Sequence, residues 1–191
     1  MRKIETREQR EKRNSRNKLI IGLVLVVLMV FSSAAYAFFS RDDVTTAKKI
    51  EYNGIKFSLL EDGRWHGIIQ NQEYMTIFNP KEAENVTGNV IPGVEKYSGK
   101  PLYFSYDSDR EGTDEVSRNL GSLAERAQYV CIDECKEDWP VKNCASDNVI
   151  IIKDSNTTII RQEEKCVYIL APRDDLVRAS DAFIFKTLEL F

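Results

Sequence analysis

The stretch from Leu19 to Phe39 constrains this chain more than any other part of its sequence. It holds 21 residues without a Lys, Arg, Asp, Glu or His. As a helix rising about 1.5 Å per residue it would extend about 31 Å, the thickness of a bilayer core. A helix is the form expected in lipid, because it pairs its own backbone polar groups. The sequence therefore predicts a transmembrane helix over residues 19–39.

Charge on either side of this segment predicts its orientation. Residues 1–18 hold eight Lys or Arg and three Glu, a net charge of +5, and subtracting this from the −3 of the whole chain leaves −8 for the remainder. Positive flanks stay in the cytoplasm, so residues 1–18 are expected to form a cytoplasmic stub beside anionic lipid headgroups. Residues 40–48 then form a linker, and residues 49–191 form one extracytoplasmic domain. An acidic domain on a membrane argues against a soluble cytosolic enzyme and against nucleic acid as a partner.

A cleaved signal peptide is the alternative that the sequence leaves open. Residues 19–31 form an apolar core, and Ala35-Tyr36-Ala37 fits the small-residue pattern of a cleavage site. The long basic region and the apolar run up to Phe39 favour a retained signal anchor. With either interpretation the main domain lies outside, so the expected location is the cell membrane, with a single pass and a cytoplasmic N-terminus.

Cysteines and glycosylation motifs fit an outside location. Cys131, Cys135, Cys144 and Cys166 are even in number, which predicts two disulfides with three possible connectivities. Strands near 149–152 and 166–170 would run the same way, which favours Cys144–Cys166 and leaves Cys131–Cys135 as a local pair. A four-thiolate metal site stays open as the alternative, although the spacing is not that of a zinc ribbon. The Asn-x-Thr motifs predict N-glycosylation at Asn85 and Asn156.

The outer domain is predicted to be α+β, with amphipathic helices packed on a mostly antiparallel sheet. Asn53-Gly54 between alternating apolar residues predicts a hairpin. Helical periodicity predicts helices over 113–129 and 174–191, and a three-stranded meander is expected between residues 149 and 170. Phe185 falls on the polar side of the last helix. It therefore predicts either an exposed contact surface or coverage by another segment of the domain.

One acidic cluster suggests a cation. Asp107, Asp109 and Glu111 followed by Gly112 match positions 1, 3, 5 and 6 of an EF-hand calcium loop, and Asp114 adds another carboxylate. The residue at the position of the bidentate Glu is Arg118, which departs from the pattern. The competing interpretation is a solvated loop whose acidic residues favour the positive end of the following helix. Calcium through Asp107, Asp109, Glu111 and Asp114 is the one cofactor that the sequence suggests.

Motifs for catalysis are missing from the sequence. His66 is the only histidine, which excludes a two-histidine metal site, and a surface or structural role is the simpler interpretation. The sequence contains no G-x-S-x-G, H-E-x-x-H or phosphate loop. No catalytic residue is therefore assigned.

Two segments resemble a known type of protein. Residues 52–57 read YNGIKF after a single predicted span, and residues 166–172 read CVYILAP ahead of DLVRASDAF at 175–183. Together they resemble an uncharacterised type of small, single-span, membrane-anchored protein from archaea. The resemblance covers most of the outer domain and implies an archaeal cell surface. It brings no known activity and no site residues.

Two classes of function follow from these observations. The first is a membrane-tethered extracytoplasmic module, interacting or structural, that binds a protein or another component of the cell envelope. The alternative is an envelope enzyme. That enzyme would be either a hydrolase using calcium or the carboxylates near Asp107, or a thiol oxidoreductase using Cys131 and Cys135.

Overall fold

A computed structural model describes residues 17–18, 20–29, 48–107, 110–132, 135 and 137–191. The chain divides into two compact units, residues 1–46 and 47–191. In the first unit, residues 17–18 and 20–29 are helical. Among the described residues, no helix has both the length and the apolar character to cross a membrane. Residues 19 and 30–39 of the predicted span lie outside the described residues, as do residues 1–16 and 40–47.

The second unit begins with a four-stranded antiparallel sheet. Its strands follow one another in sequence order, β1 (Lys49–Tyr52), β2 (Ile55–Leu59), β3 (Trp65–Ile69) and β4 (Gln72–Thr76). Asn53 and Gly54 form the β1–β2 turn with φ angles of 48° and 78°. A type I′ turn needs positive φ at both positions, and Asn and Gly accept it at the least cost. The predicted hairpin is confirmed.

A six-stranded sheet forms the other side of the domain. Its strands are β5 (Gly88–Asn89), β6 (Pro101–Tyr106), β7 (Arg126–Tyr129), β8 (Val149–Asp154), β9 (Ile159–Glu163) and β10 (Cys166–Ala171). Their order is β5-β9-β10-β8-β6-β7. Among these described strands only β9 and β10 pair antiparallel, and the other four pairings are parallel. The α+β class is therefore confirmed, and the mostly antiparallel arrangement holds for the first sheet but not for the second.

Strand β10 lies between β8 and β9, so the expected meander is wrong. Val167 pairs with Ile150 of β8 in the parallel direction and with Gln162 of β9 in the antiparallel direction. Strands β8 and β10 are short and largely apolar, and a hairpin turn fixes only the contact between β9 and β10. The position of β8 depends on burial, since its first four residues are all buried.

Three helices occupy the space between the sheets, α1 (Pro80–Ala83), α2 (Glu111–Leu120) and α3 (Leu176–Thr187). Asn79 caps α1, where its side chain accepts from the backbone N–H of Lys81 and Glu82 and the Glu82 side chain completes a capping box. Helix α2 ends at Gly121, so the helix expected over 113–129 is wrong in its second half. Residues 126–129 form β7 on β6 instead. Gly121 was the stop signal, because glycine favours helix ends over helix interiors.

Helix α3 is buried on nearly every face. Phe185 is fully buried and packs edge-on against Phe57 of β2, with ring centroids 6.0 Å apart. The Phe191 ring also lies 6.0 Å from it, in a tilted arrangement. The helix also contacts β8, β9 and β10 of the six-stranded sheet, and Ala179 and Ala182 lie in one core with Ile152 and Ile169 of that sheet. The exposed contact surface predicted for Phe185 is therefore wrong. The helical wheel assumed one sheet beneath the helix, whereas a second sheet covers its other side.

Two carboxyl groups meet inside this helical layer. Glu115 of α2 and Asp181 of α3 are 2% and 0% exposed. Asp181 Oδ2 accepts from the backbone N–H of Phe78 at 2.8 Å, and Arg118 donates to Glu115 Oε2. Neither Oε1 of Glu115 nor Oδ1 of Asp181 has a hydrogen-bond partner among the described residues. Two carboxyl groups can hydrogen-bond to each other only when one of them is protonated and donates. Burial, and next the charge of Glu115, raise the pKa of Asp181 well above its usual range.

Replacing Asp181 with Asn tests this shared proton. The pKa of Asp181 is higher in the folded than in the unfolded chain, so the stability it contributes is full below an unfolded pKa of about 4 and is lost as the pH rises through the folded pKa. Asn mimics the protonated carboxyl at every pH. We expect the free energy of unfolding of D181N to fall less than that of the natural chain as the pH rises from about 4 to about 8. Urea unfolding across this range measures the difference.

Asp175→Asn, in the same helix region, is the matched control with the opposite sign. Burial raises the pKa of Asp175, but hydrogen bonds from Arg178 and Thr158 outweigh it and hold this pKa below its usual range. The stability that Asp175 contributes is thus present at neutral pH and lost as the pH falls through the folded pKa. D175N should be less stable than the natural chain at neutral pH and should approach it in acid. Equal pH slopes for D181N and the natural chain would contradict the shared proton.

Candidate functional site

The six-stranded sheet has a second face, turned away from the helices. Alternate residues of its central strands reach this face, and Tyr103, Val149, Ile151 and Cys166 are buried there in a small apolar cluster of their own. The cover is the segment between β7 and β8, which we name the cysteine loop (residues 130–148). Among its described residues, 130–132, 135 and 137–148, one parallel bridge pairs Cys131 with Val141.

Disulfides fasten this loop to the sheet. Cys144 bonds Cys166, the first residue of β10, with Cα atoms 5.0 Å apart, and Cys131 bonds Cys135 within the loop. The prediction of disulfide bonds is confirmed, and these are the two pairs that the strand directions favoured. Backbone hydrogen bonds add to the attachment, since Val130 N donates to Phe104 O of β6 and Lys165 N, just before β10, donates to Cys144 O. The loop is thus held at both ends.

A pocket of about 270 Å³ opens between the cysteine loop and the sheet. The sheet supplies one side and the loop the other. The sheet residues are Ser105, Tyr106, Asp107, Ile151, Lys153 and Tyr168, and the loop residues are Val130, Cys131, Ile132, Cys135, Glu137 and Trp139.

Aromatic rings build one wall of this pocket. Trp139 stacks on Tyr129 with ring centroids 5.5 Å apart and lies 5.8 Å from Tyr106. Arg110 lies over the Tyr129 ring at 5.1 Å and donates to its hydroxyl, which in turn donates to Asp114 at 2.9 Å. Burial is the main cause that raises the pKa of Tyr129, so this hydroxyl keeps its proton at neutral pH. These contacts fix the orientation of the Trp139 ring.

Charged and hydroxyl groups also line the pocket. Lys153 of β8 lies 3.6 Å from the Asp107 carboxylate at the end of β6. Glu137 adds an exposed carboxylate from the loop, and Ser105 and Tyr168 add hydroxyls from the sheet. The pocket therefore combines aromatic rings with hydrogen-bond donors and acceptors, a lining suited to binding a small polar ligand.

The acidic cluster predicted for calcium is only partly in this site. Asp107 lines the pocket and faces Lys153, whereas Asp114 accepts from Tyr129 and Glu111 begins α2. Asp109 lies outside the described residues. Within the described residues, no group of three His, Cys, Asp or Glu side chains could hold a metal ion. Calcium binding stays a prediction, in which Asp107 would have to exchange Lys153 for the ion.

The other residues singled out from the sequence lie away from the pocket. His66 is on β3 of the four-stranded sheet, 4.0 Å from Glu73 on β4. Asn85 and Asn156 are both exposed, so their glycosylation stays a prediction that their positions permit. Sequence reasoning missed Tyr106, Trp139 and Tyr168 as lining residues. The available signal was Trp139-Pro140 within the cysteine loop, since a tryptophan in a short disulfide-bonded segment needs a surface to cover.

No protein family, curated protein or solved structure matches this chain. Its function is therefore argued from the geometry of the pocket.

We expect a graded increase in reductant to open Cys131–Cys135 before Cys144–Cys166. Cys135 is exposed, whereas Cys144 is half-buried and Cys166 is fully buried at the start of β10, so an attacking thiolate reaches the first bond more readily. Differential alkylation of the full chain followed by mass spectrometry measures the opening of both bonds.

Unfolding in urea supplies the control for this experiment. Without the fold neither sulfur pair is buried, and both bonds should open over a similar range of reductant. If the folded chain also loses both bonds together, the burial of Cys166 does not protect the second bond.

Proposed function

We propose that this chain is a membrane-tethered extracytoplasmic module that binds a small component of the cell envelope in the pocket beneath the cysteine loop. The observation that carries the proposal is the pocket, whose lining combines stacked aromatic rings with charged and hydroxyl groups. Residues from β6, β8 and β10 form its sheet side, and a cross-linked loop forms the other side.

Attachment of the loop supports a binding role. A site held in its bound shape loses less conformational entropy when the ligand arrives, and more of the contact energy then appears as affinity. The Cys144–Cys166 bond and the hydrogen bond from Val130 N to Phe104 O of β6 fix the loop on the sheet. Arg110 and Tyr129 in turn orient Trp139.

The position at the membrane is supported by the sequence together with the disulfides. Disulfides persist in oxidising compartments, which lie outside the cytoplasm. The uncharged stretch 19–39 and the basic residues before it supply a tether and an orientation. The two exposed Asn-x-Thr motifs agree with this placement.

One observation favours a second candidate, a thiol oxidoreductase. Cys131–Cys135 lines the pocket with Cys135 exposed and Cys131 buried. A substrate thiolate would attack Cys135 Sγ and form a mixed disulfide, and Cys131 would leave as a thiolate. A second substrate thiol, losing its proton, would then displace Cys135, which leaves a substrate disulfide and two cysteine thiols on this chain. In this case a Cys131→Ser, Cys135→Ser variant would lose the oxidation of a dithiol peptide by the intact chain, whereas a binding module shows no such oxidation.

Limited trypsin digestion of sealed membrane vesicles tests the tether and its orientation. We expect trypsin added to the outer face to cut within linker residues 40–48 and to release the domain over residues 49–191. An alkaline wash without trypsin should leave the chain in the membrane. A variant with Arg41, Lys48 and Lys49 changed to Gln is the matched control, because it removes the linker cleavage sites and should stay attached.

Two results would contradict this arrangement. Release only after the vesicles are lysed would place the domain on the cytoplasmic side. A soluble chain whose N-terminus is Phe38, read by mass spectrometry, would show that the segment is a cleaved signal peptide.

A further inference from the structure

We infer that the ligand of the pocket is a neutral sugar ring, bound against Trp139 and Tyr106 through its C–H groups and against Asp107 and Lys153 through its hydroxyls. The inference rests on the proposed function and names the class of ligand for the same pocket.

Pocket size limits the ligand to about one ring. Its volume of about 270 Å³ is below the roughly 300–1,000 Å³ typical of sites for drug-sized molecules. A hexopyranose, with about a dozen heavy atoms, fits this space, and a chain of several sugars would place only one unit inside.

The charged side chains of the pocket do not favour an ionic ligand. Asp107 and Glu137 oppose Lys153, which gives the lining side chains a net charge of −1. Because Lys153 and Asp107 already form an ion pair at 3.6 Å, an ionic ligand must compete with an existing partner. A sugar hydroxyl both donates and accepts, so neighbouring hydroxyls bridge the ammonium and the carboxylate without separating their charges.

The aromatic wall supplies the other half of a sugar's requirements. One face of a pyranose carries mainly C–H groups, which pack on the negative face of an aromatic ring. Trp139 and Tyr106 line the pocket, and Tyr129 stacks on Trp139 with an interplanar angle of 27°. A wholly apolar ring would use this wall but would leave the ion pair of Asp107 and Lys153 desolvated without hydrogen bonds, which is costly.

Tryptophan fluorescence of the full chain in detergent tests the inference. The sequence holds two tryptophans, Trp65 and Trp139. Trp65 is 4% exposed in the core, so a change on ligand addition reports on Trp139. The probes are methyl glycosides of glucose, galactose, mannose and N-acetylglucosamine. Three control ligands have the same ring size but different chemistry: glucuronate is an anion, glucosamine is a cation, and cyclohexanol lacks the array of hydroxyls. A fourth control, tetramethylammonium, tests whether the aromatic rings bind a cation instead.

We expect at least one neutral glycoside to give a saturable change with a dissociation constant in the millimolar range, about what a dozen heavy atoms support. The dissociation constant should not depend on salt, because a neutral glycoside carries no net charge whose attraction salt could screen. Trp139→Phe should abolish the signal, and Asp107→Asn should weaken binding about tenfold or more by removing a charge-assisted acceptor. Ile68→Ala, on an exposed site of the four-stranded sheet, is the matched control and should bind as the natural chain does.

The remaining outcomes separate two failures. If glucuronate, glucosamine, cyclohexanol or tetramethylammonium saturates the Trp139 signal and the neutral glycosides do not, the neutral sugar is the wrong class of ligand. The pocket then remains a binding site. If no probe changes the signal of a chain with both disulfides formed and a native circular dichroism spectrum, the sugar inference and the role of this pocket are both overturned. Membrane attachment is then judged separately, by trypsin release.

Discussion

Burial of helix α3 between two sheets is the constraint on which the rest of this structure depends. Phe185 packs against Phe57 of the four-stranded sheet, and the same helix contacts β8, β9 and β10 of the six-stranded sheet. Each fully buried large apolar side chain contributes about 1.5–3 kcal/mol, so a helix buried on both sides stabilises the fold far more than one laid on a single sheet. The same burial raises the pKa of Asp181 well above its usual range, because it disfavours the charged carboxylate. The helical layer also occupies the inner faces of both sheets and leaves outer faces for a site.

A disulfide bond holds the cysteine loop on the outer face of the six-stranded sheet, whereas apolar packing holds the helices on its inner face. The cysteine loop covers a small apolar cluster around Val149 and Ile151. Burial of so small a cluster contributes little to the free energy that holds the loop in place. The Cys144–Cys166 bond therefore attaches the loop to the sheet. Because the loop covers only part of the face, Ser105 and Lys153 remain at the wall of an open pocket.

Local chemistry made part of this structure predictable. Asn53-Gly54 and the cap at Asn79 each depend on a few neighbouring residues, and so they could be inferred from short sequence patterns. The insertion of β10 between β8 and β9 could not, since strand order is decided by packing between distant segments. Phe185 shows the same limit for a helix. A helical wheel divides a helix into a buried and an exposed side, and it gives the wrong answer when a second sheet covers the exposed side.

The site was visible in sequence only as separate parts. Asp107 and Cys131 stood out by residue type, but nothing local shows that Lys153 lies beside Asp107, which requires the parallel pairing of β6 and β8. Topology explains why the pocket lies there. From β6 the chain passes through α2 to β7 on one side, whereas from β8 it passes through β9 to β10 on the other. Chain directions therefore diverge between β6 and β8, and in open sheets with parallel strands a crevice forms at the carboxyl ends of two such strands. Asp107 and Lys153 lie at these ends, so the backbone places a crevice there whichever side chains line it.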